Sequence, residues 1–237
     1  MSTLLLRLAA FMQSWGADSK FERRSTERAP TKSGVLGLVS AALGRRRDED
    51  ISDLEALRFG VRVDKEGVLL RDFHTAKSLK SAYVTNRYYL ADAVFLAGLE
   101  GSEALLEDIE AALRRPVYPL YLGRRSCPPE GRLCLGIREG KEILEALKEE
   151  PYQAKLPPWQ KEALKLRLIV EANAGEGASH MLRDAPISFD QRHRKYGFRR
   201  LVEMAAIIQN PVCSTGPLPT EHDAIAELEV EECIFPV

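Results

Sequence analysis

Pro30-Thr31-Lys32-Ser33-Gly34-Val35-Leu36-Gly37-Leu38-Val39-Ser40-Ala41-Ala42-Leu43-Gly44 decides the fold, because it sets a helix between two stretches that read as strands. Val35, Leu36, Leu38, Val39, Ala42 and Leu43 recur at helical spacing, with Thr31 as the N-cap and Gly44 as the stop. Upstream, Thr3 to Ala9 (TLLLRLA) is apolar and branched enough for a buried strand, and it runs into a loop at Met12-Gln13-Ser14-Trp15-Gly16. Downstream, Arg58 to Val63 alternates, and Gly67 turns the chain into Val68 to Phe73, which predicts a hairpin of these two runs. Tyr88 to Gly98 reads as a further strand, Ser102 to Leu113 as an amphipathic helix, and Leu133 to Ile137 as a last extended stretch.

This order predicts an α+β fold. It is a split βαβ, ferredoxin-like (RRM-like) palm with helices on one face and an arm inserted between strands. The palm is expected over residues 1–140, with the arm, or thumb, at about 74–88. A linker follows over 141–160, where Pro151, Pro157 and Pro158 break the pattern. Lys165 to Ala172 then opens a small β-rich C-terminal domain over 161–220, and residues 221–237 form an acidic tail.

Composition narrows the function classes. A chain of 237 residues with 45% apolar side chains has room for two compact units. No apolar run approaches the roughly 18 residues of a membrane span, and the first residues turn polar too soon for a secretory signal, so no membrane association and a cytoplasmic location are expected. Cys127, Cys134, Cys213 and Cys233 contain no C-x-x-C pair, which points to buried free thiols. Metal-ligand spacings such as H-E-x-x-H are absent from the sequence, and no metal or cofactor is expected.

The net charge of -1 is a sum of opposed patches. Lys20 to Lys32 carries +3, Arg114 to Arg132 carries +4, and Arg192 to Arg200 holds five Lys and Arg with no acid. Glu221 to Val237 carries -6 with no Lys or Arg. Basic stretches that converge in space make a polyanion site, and an acidic tail either meets a basic partner or keeps the protein soluble.

Three segments carry candidate chemistry. The helix start at Thr31, Lys32 and Ser33 offers hydroxyls, a charge and free N–H groups to an anion, while an ordinary capped helix with packing glycines reads equally well. It lacks the glycine spacing of a nucleotide-hydrolase phosphate loop. Tyr121-Leu122-Gly123-Arg124-Arg125-Ser126 places adjacent arginines after a glycine, with bidentate phosphate donors next to aromatic stacking surface. The arm from Arg71 through His74, Lys77, Lys80, Tyr83 and Arg87 has the composition of a nucleic-acid finger. His74 with Lys77, Lys80 or Tyr83 is also enough apparatus for metal-free attack by a ribose hydroxyl. Trp15 reads either as a stacking platform or as core. The sequence holds no aromatic RNP strand, so the sheet face is not the expected RNA platform.

In this order, MQSWG at 12 to 16, RRSTERAPTKSGVLGLVSAALG at 23 to 44, RDFHT at 71 to 75 and YLGRRSCP at 121 to 128 resemble the CasD family, subunits of the type I-E CRISPR surveillance complex Cascade. The resemblance implies a non-catalytic RNA-binding protein that caps the 5′ handle of the crRNA. The implied RNA-binding set is Gln13, Trp15, Arg24, Arg28, Thr31, Lys32, Ser33, His74, Lys77, Lys80, Tyr121, Gly123, Arg124, Arg125 and Ser126. Implied partners are the Cascade backbone subunit and the large PAM-reading subunit, with target DNA reached indirectly through the complex. The rival reading is a metal-independent endoribonuclease that processes CRISPR repeat RNA.

Overall fold

β1 (Ser2–Ala9) is buried along almost its whole length, because the sheet it joins is covered on both faces. The computed structural model describes residues 1–16, 23–77, 82–155, 163–173, 177 and 180–208. After β1 come β2 (Met12–Gln13), β3 (Arg23–Arg24), α1 (Lys32–Ala42), α2 (Ser52–Glu55), β4 (Arg58–Lys65), β5 (Val68–Lys77), β6 (Ala82–Ala91) and β7 (Val94–Gly101). The chain continues with α3 (Glu103–Arg114), β8 (Cys134–Arg138), α4 (Ile143–Glu149), β9 (Leu164–Glu171), β10 (His180–Ser188) and β11 (Lys195–Ile208).

Seven strands form one antiparallel sheet in the order β10-β11-β9-β4-β7-β1-β8. Leu4, Leu6 and Leu8 of β1 point to the face covered by α1 and α3, and they share a core with Val35, Leu36, Val39, Leu106 and Ile109. Leu5 points the other way, into a core with Ile143, Ala146 and Leu147 of α4. Gly60 and Gly98 face each other across β4 and β7 and floor the groove that α4 fills. A Cβ on either would lie 3.1 or 3.0 Å from the Ile143 side chain.

α4 thus occupies the face opposite α1 and α3, where the sequence placed helices on one face only. Arg62 and Asp64 hold its end: the fully buried Arg62 guanidinium donates to the carbonyls of Leu147 at 2.6 Å, Glu150 at 2.5 Å and Pro151 at 2.8 Å. Part of the expected linker at 141–160 is therefore core. Nor do β9 to β11 form a sheet of their own, since β9 pairs with β4 (Gly60↔Val170, Arg62↔Leu168) and extends the main sheet. Residues 209–220 of the expected C-terminal domain and the acidic tail at 221–237 lie outside the described residues.

Two expected strands change partners. The hairpin of Arg58–Val63 with Val68–Phe73 does not form, because both edges of β4 are taken by β7 and β9. β5 pairs instead with β6 along its whole length, from Val68↔Ala91 to Lys77↔Ala82. The single strand expected over 88–98 is broken at Asp92, whose φ of 56° turns the chain. β6 therefore belongs to a second sheet with β5, β2 and β3, while β7 enters the main one. The β5–β6 hairpin is exposed over most of its length and leaves Phe73 69% and Val84 50% accessible.

Candidate nucleic-acid interface

The base of this hairpin gathers arginines from three separate segments. β3 runs parallel to β6 and sets Arg24 opposite Arg87. The loop at 122–127 reaches the same place because its backbone is fastened on both sides. Leu122 N–H donates to Cys127 O at 2.7 Å, Cys127 N–H to Arg124 O at 2.9 Å, and Ser14 N–H to Leu122 O at 3.2 Å. Gly123 has φ +85° and lies so close to Ser14 that a Cβ there would fall 1.6 Å from the Ser14 carbonyl oxygen, so no other residue fits this backbone. Buried Leu122 and Cys127 anchor the loop ends, and burial pushes the Cys127 thiol pKa up.

Held this way, Arg124 lies over the Tyr89 ring with its guanidinium carbon 4.5 Å from the centroid. Its Nη2 donates to the carbonyl of Arg24 at 2.9 Å. Arg87 stands two residues before Tyr89, on the same face of β6. Arg124 Nη1 and Arg87 Nε are both buried with no hydrogen-bond partner. Arg125 and Ser126 follow Arg124 in the chain and are exposed, Arg24 and Arg28 are exposed as well, and Tyr121 is half-buried. The arrangement offers several guanidinium donors to one anion, with part of that donor capacity buried and unmet.

Five expected contact residues are instead part of the interior. Gln13 is fully buried; its Nε2 donates to the carbonyls of Leu8 at 3.0 Å and Ala93 at 2.8 Å, and its Oε1 accepts from Trp15 Nε1 at 3.0 Å. Trp15 is 1% exposed and packs on Gly34, where a Cβ would lie 2.8 Å from the indole ring. That burial leaves no face of the indole open to a base in this structure. Thr31, Lys32 and Ser33 are buried too, because β10 packs against α1 and the side chains of Asp184 on β10 and Glu171 on β9 reach the start of the helix. The Lys32 N–H donates to Asp184 Oδ2 at 2.8 Å, and Lys32 Nζ pairs with Glu171 at 3.1 Å and the Glu55 carbonyl at 2.8 Å. The anion expected at this helix start is a carboxylate of the protein itself.

On the hairpin, His74 Nε2 lies 2.6 Å from Asp72 Oδ2, both half-exposed. Strand alternation puts Lys77 on the opposite face from His74, so these two cannot serve one reacting centre. Lys80 falls outside the described residues. Arg87 and Tyr89 were absent from the expected contact set. Their period-2 spacing on β6 is the available signal, and it is legible only with the hairpin register, which pairs Arg87 with Asp72 and Tyr89 with Leu70. Among the described residues, no group of three His, Cys, Asp or Glu side chains could hold a metal ion, and no helix is long and apolar enough to cross a membrane.

The model of the CRISPR-associated protein family Cas5 matches residues 3–202, a span that includes every arginine of the cluster. The chain belongs to the Cas5 family. It is 39% identical to the CRISPR system Cascade subunit CasD of Escherichia coli (strain K12) over 171 residues, covering 62% of this chain and 75% of that protein. A solved structure described as a Cas protein superimposes with a TM-score of 0.70 at 42% identity, over 88% of this chain and 98% of its own. A chain from a CRISPR RNA-guided surveillance complex gives 0.74 at 35% identity, over 87% and 90%. The Cas5 match ends before the acidic stretch at 221–237.

Proposed function

We propose that this Cas5-family protein is a non-catalytic, RNA-binding subunit of a type I-E Cascade surveillance complex that caps the 5′ handle of the crRNA. In this reading β1, α1, β4, β7, α3 and β8 form a ferredoxin-like palm, and the strand order β4-β7-β1-β8 supports it. The β5–β6 hairpin is the thumb, and it spans 68–91 rather than 74–88. The handle lies along Arg24, Arg28, Arg87, Arg124, Arg125 and Ser126, with phosphates taking the guanidinium donors. The backbone subunit and the large PAM-reading subunit pack alongside, and the protein meets target DNA only through the complex.

The observation that carries this reading is Arg124, stacked on Tyr89 and fixed to the Arg24 carbonyl with a buried donor unmet. Such rigid presentation suits a phosphate and is wasted on solvent. α4 covers the face of β4, β7 and β1 opposite α1 and α3, which takes that part of the main sheet out of competition as a platform. Replacing Arg124 and Arg125 by alanine in the assembled complex is the test. Loss of guide RNA from the purified complex is expected, and full RNA recovery overturns the assignment.

The Asp72–His74 pair keeps the endoribonuclease as a second reading, because a carboxylate orients and charges an imidazole for acid–base work. Incubation with repeat RNA in EDTA decides it: specific cleavage abolished by His74→Ala would establish the enzyme.

A further inference from the structure

We propose that the β10–β11 hairpin carries a second surface for single-stranded RNA, separate from the arginine cluster, with Phe198 as its stacking platform. The choice of RNA rests on the function proposed above, and the case for a single strand rests on this face alone. The hairpin forms one edge of the main sheet. α4 packs on β11 at Met204 and Ala206, and towards Lys195 the same face of the strand runs out into exposed side chains at Arg200 and Phe198. Alternation fixes that face: Arg199 is buried on the α1 side against Asp184 and the Phe59 ring, so Phe198 and Arg200 turn the other way. Met181 pairs with Arg200 in the register, and Arg183 follows on the same side, its Nε donating to the Tyr196 carbonyl at 3.5 Å.

Charge and exposure point to the occupant. Phe198 is 65% and Met181 60% accessible, and Arg183 and Arg200 beside them are exposed. With the buried Arg199–Asp184 pair set aside, the stretch from His180 to Arg200 sets five exposed bases, Arg183, Arg192, Arg194, Lys195 and Arg200, against Asp190 alone. Among the described residues of β9, β10 and β11, no Asp or Glu shares the Phe198 face, because Glu171, Asp184 and Glu203 lie on the opposite one. An open ring flanked by guanidinium groups and clear of acids takes a base on the ring and its phosphates on the cations. Phe198 and Arg200 stand about 7 Å apart along the strand, so one nucleotide reaches both. A duplex keeps its base faces stacked inside and leaves Phe198 and Met181 unused. Stacking and charge neutralisation are blind to base identity, so this surface holds a strand without selecting its sequence.

The experiment uses the full chain and fluorescence anisotropy with a labelled single-stranded oligouridine, with oligothymidine and duplex RNA as further arms. Phe198→Ala is expected to weaken oligouridine binding about tenfold with an unchanged melting temperature, and Phe198→Tyr to retain it. Arg183→Ala with Arg200→Ala is expected to lower the slope of log affinity against log salt by about 1.4. The loss on Phe198→Ala is expected to persist in an Arg124→Ala, Arg125→Ala background, and its disappearance there merges the two sites and overturns the proposal. Unchanged oligouridine affinity of Phe198→Ala overturns it too, and if that variant is then lost from the assembled complex, the face belongs to a protein partner. Phe198-dependent binding of oligothymidine or duplex RNA in preference to oligouridine overturns the choice of single-stranded RNA. If the Arg124 and Arg125 changes cost no affinity while Phe198→Ala does, the handle reading of the cluster falls and this surface stands.

Discussion

Asp184 Oδ2 accepts the backbone N–H of Lys32 at 2.8 Å across 152 positions of sequence, so a carboxylate from β10 fills the N-terminus of α1. The same carboxylate takes Arg199 Nε at 2.5 Å and Nη2 at 2.8 Å, and both side chains are buried. Asp184→Ala strips Arg199 of its bidentate partner, leaves it only Glu171 at 3.8 Å and orphans an N–H, and an expected loss of about 3–5 kcal/mol follows. A denaturant midpoint measures it. Replacing both partners, as Asp184→Leu with Arg199→Met, is expected to recover part of that loss, because Arg199 no longer stands buried without its bidentate partner and Glu171 keeps Lys32.

Trp15 separates a structural role from a binding role. It fills the space against Gly34 and donates to Gln13. Trp15→Ala is expected to cost about 3–5 kcal/mol in a thermal or chemical melt. Lower RNA affinity with unchanged stability would restore Trp15 as a stacking residue.

At Gly123 the loop geometry itself is tested. Gly123→Ala adds left-handed backbone strain of about 1–2 kcal/mol to a methyl group 1.6 Å from the Ser14 oxygen, so the loop must shift. The expected outcome is weaker RNA binding than the stability loss alone explains, because Arg124 leaves Tyr89. Parallel melting and anisotropy measurements check this.

Arg87, read from the sequence as part of the basic arm but not as one of the RNA contacts, gives a quantitative prediction. Loss of a phosphate contact on single-stranded RNA lowers the slope of log affinity against log salt by about 0.7. Arg87→Ala and Arg124→Ala are each expected to lower it by that amount. An unchanged slope for Arg87→Ala removes it from the interface.

Burial raises the thiol pKa of Cys127 and Cys134. In the unfolded chain thiolates form from about pH 8.5, so the folded state loses relative stability as pH climbs from there through the raised folded values. Mass-mapped alkylation at pH 8 is expected to spare Cys127 and Cys134 in the native protein and to modify both in denaturant.

The α1 helix, its Thr31 cap and Gly44 stop, and the alternation of strands and helices around it were legible in the sequence, because each depends on residues a few positions apart. The Gly123-Arg124-Arg125-Ser126 loop stood out for the same reason, as glycine and paired guanidinium groups announce their chemistry locally. Tertiary structure alone decided which anion each candidate meets. Lys32 looked like a phosphate ligand until Asp184 and Glu171 came to it from β10 and β9, and Arg87 looked like thumb decoration until β3 and Arg124 were set beside it. The physical reason is that helix and strand periods follow from neighbouring residues, whereas the partner of a charge is set by long-range pairing and burial.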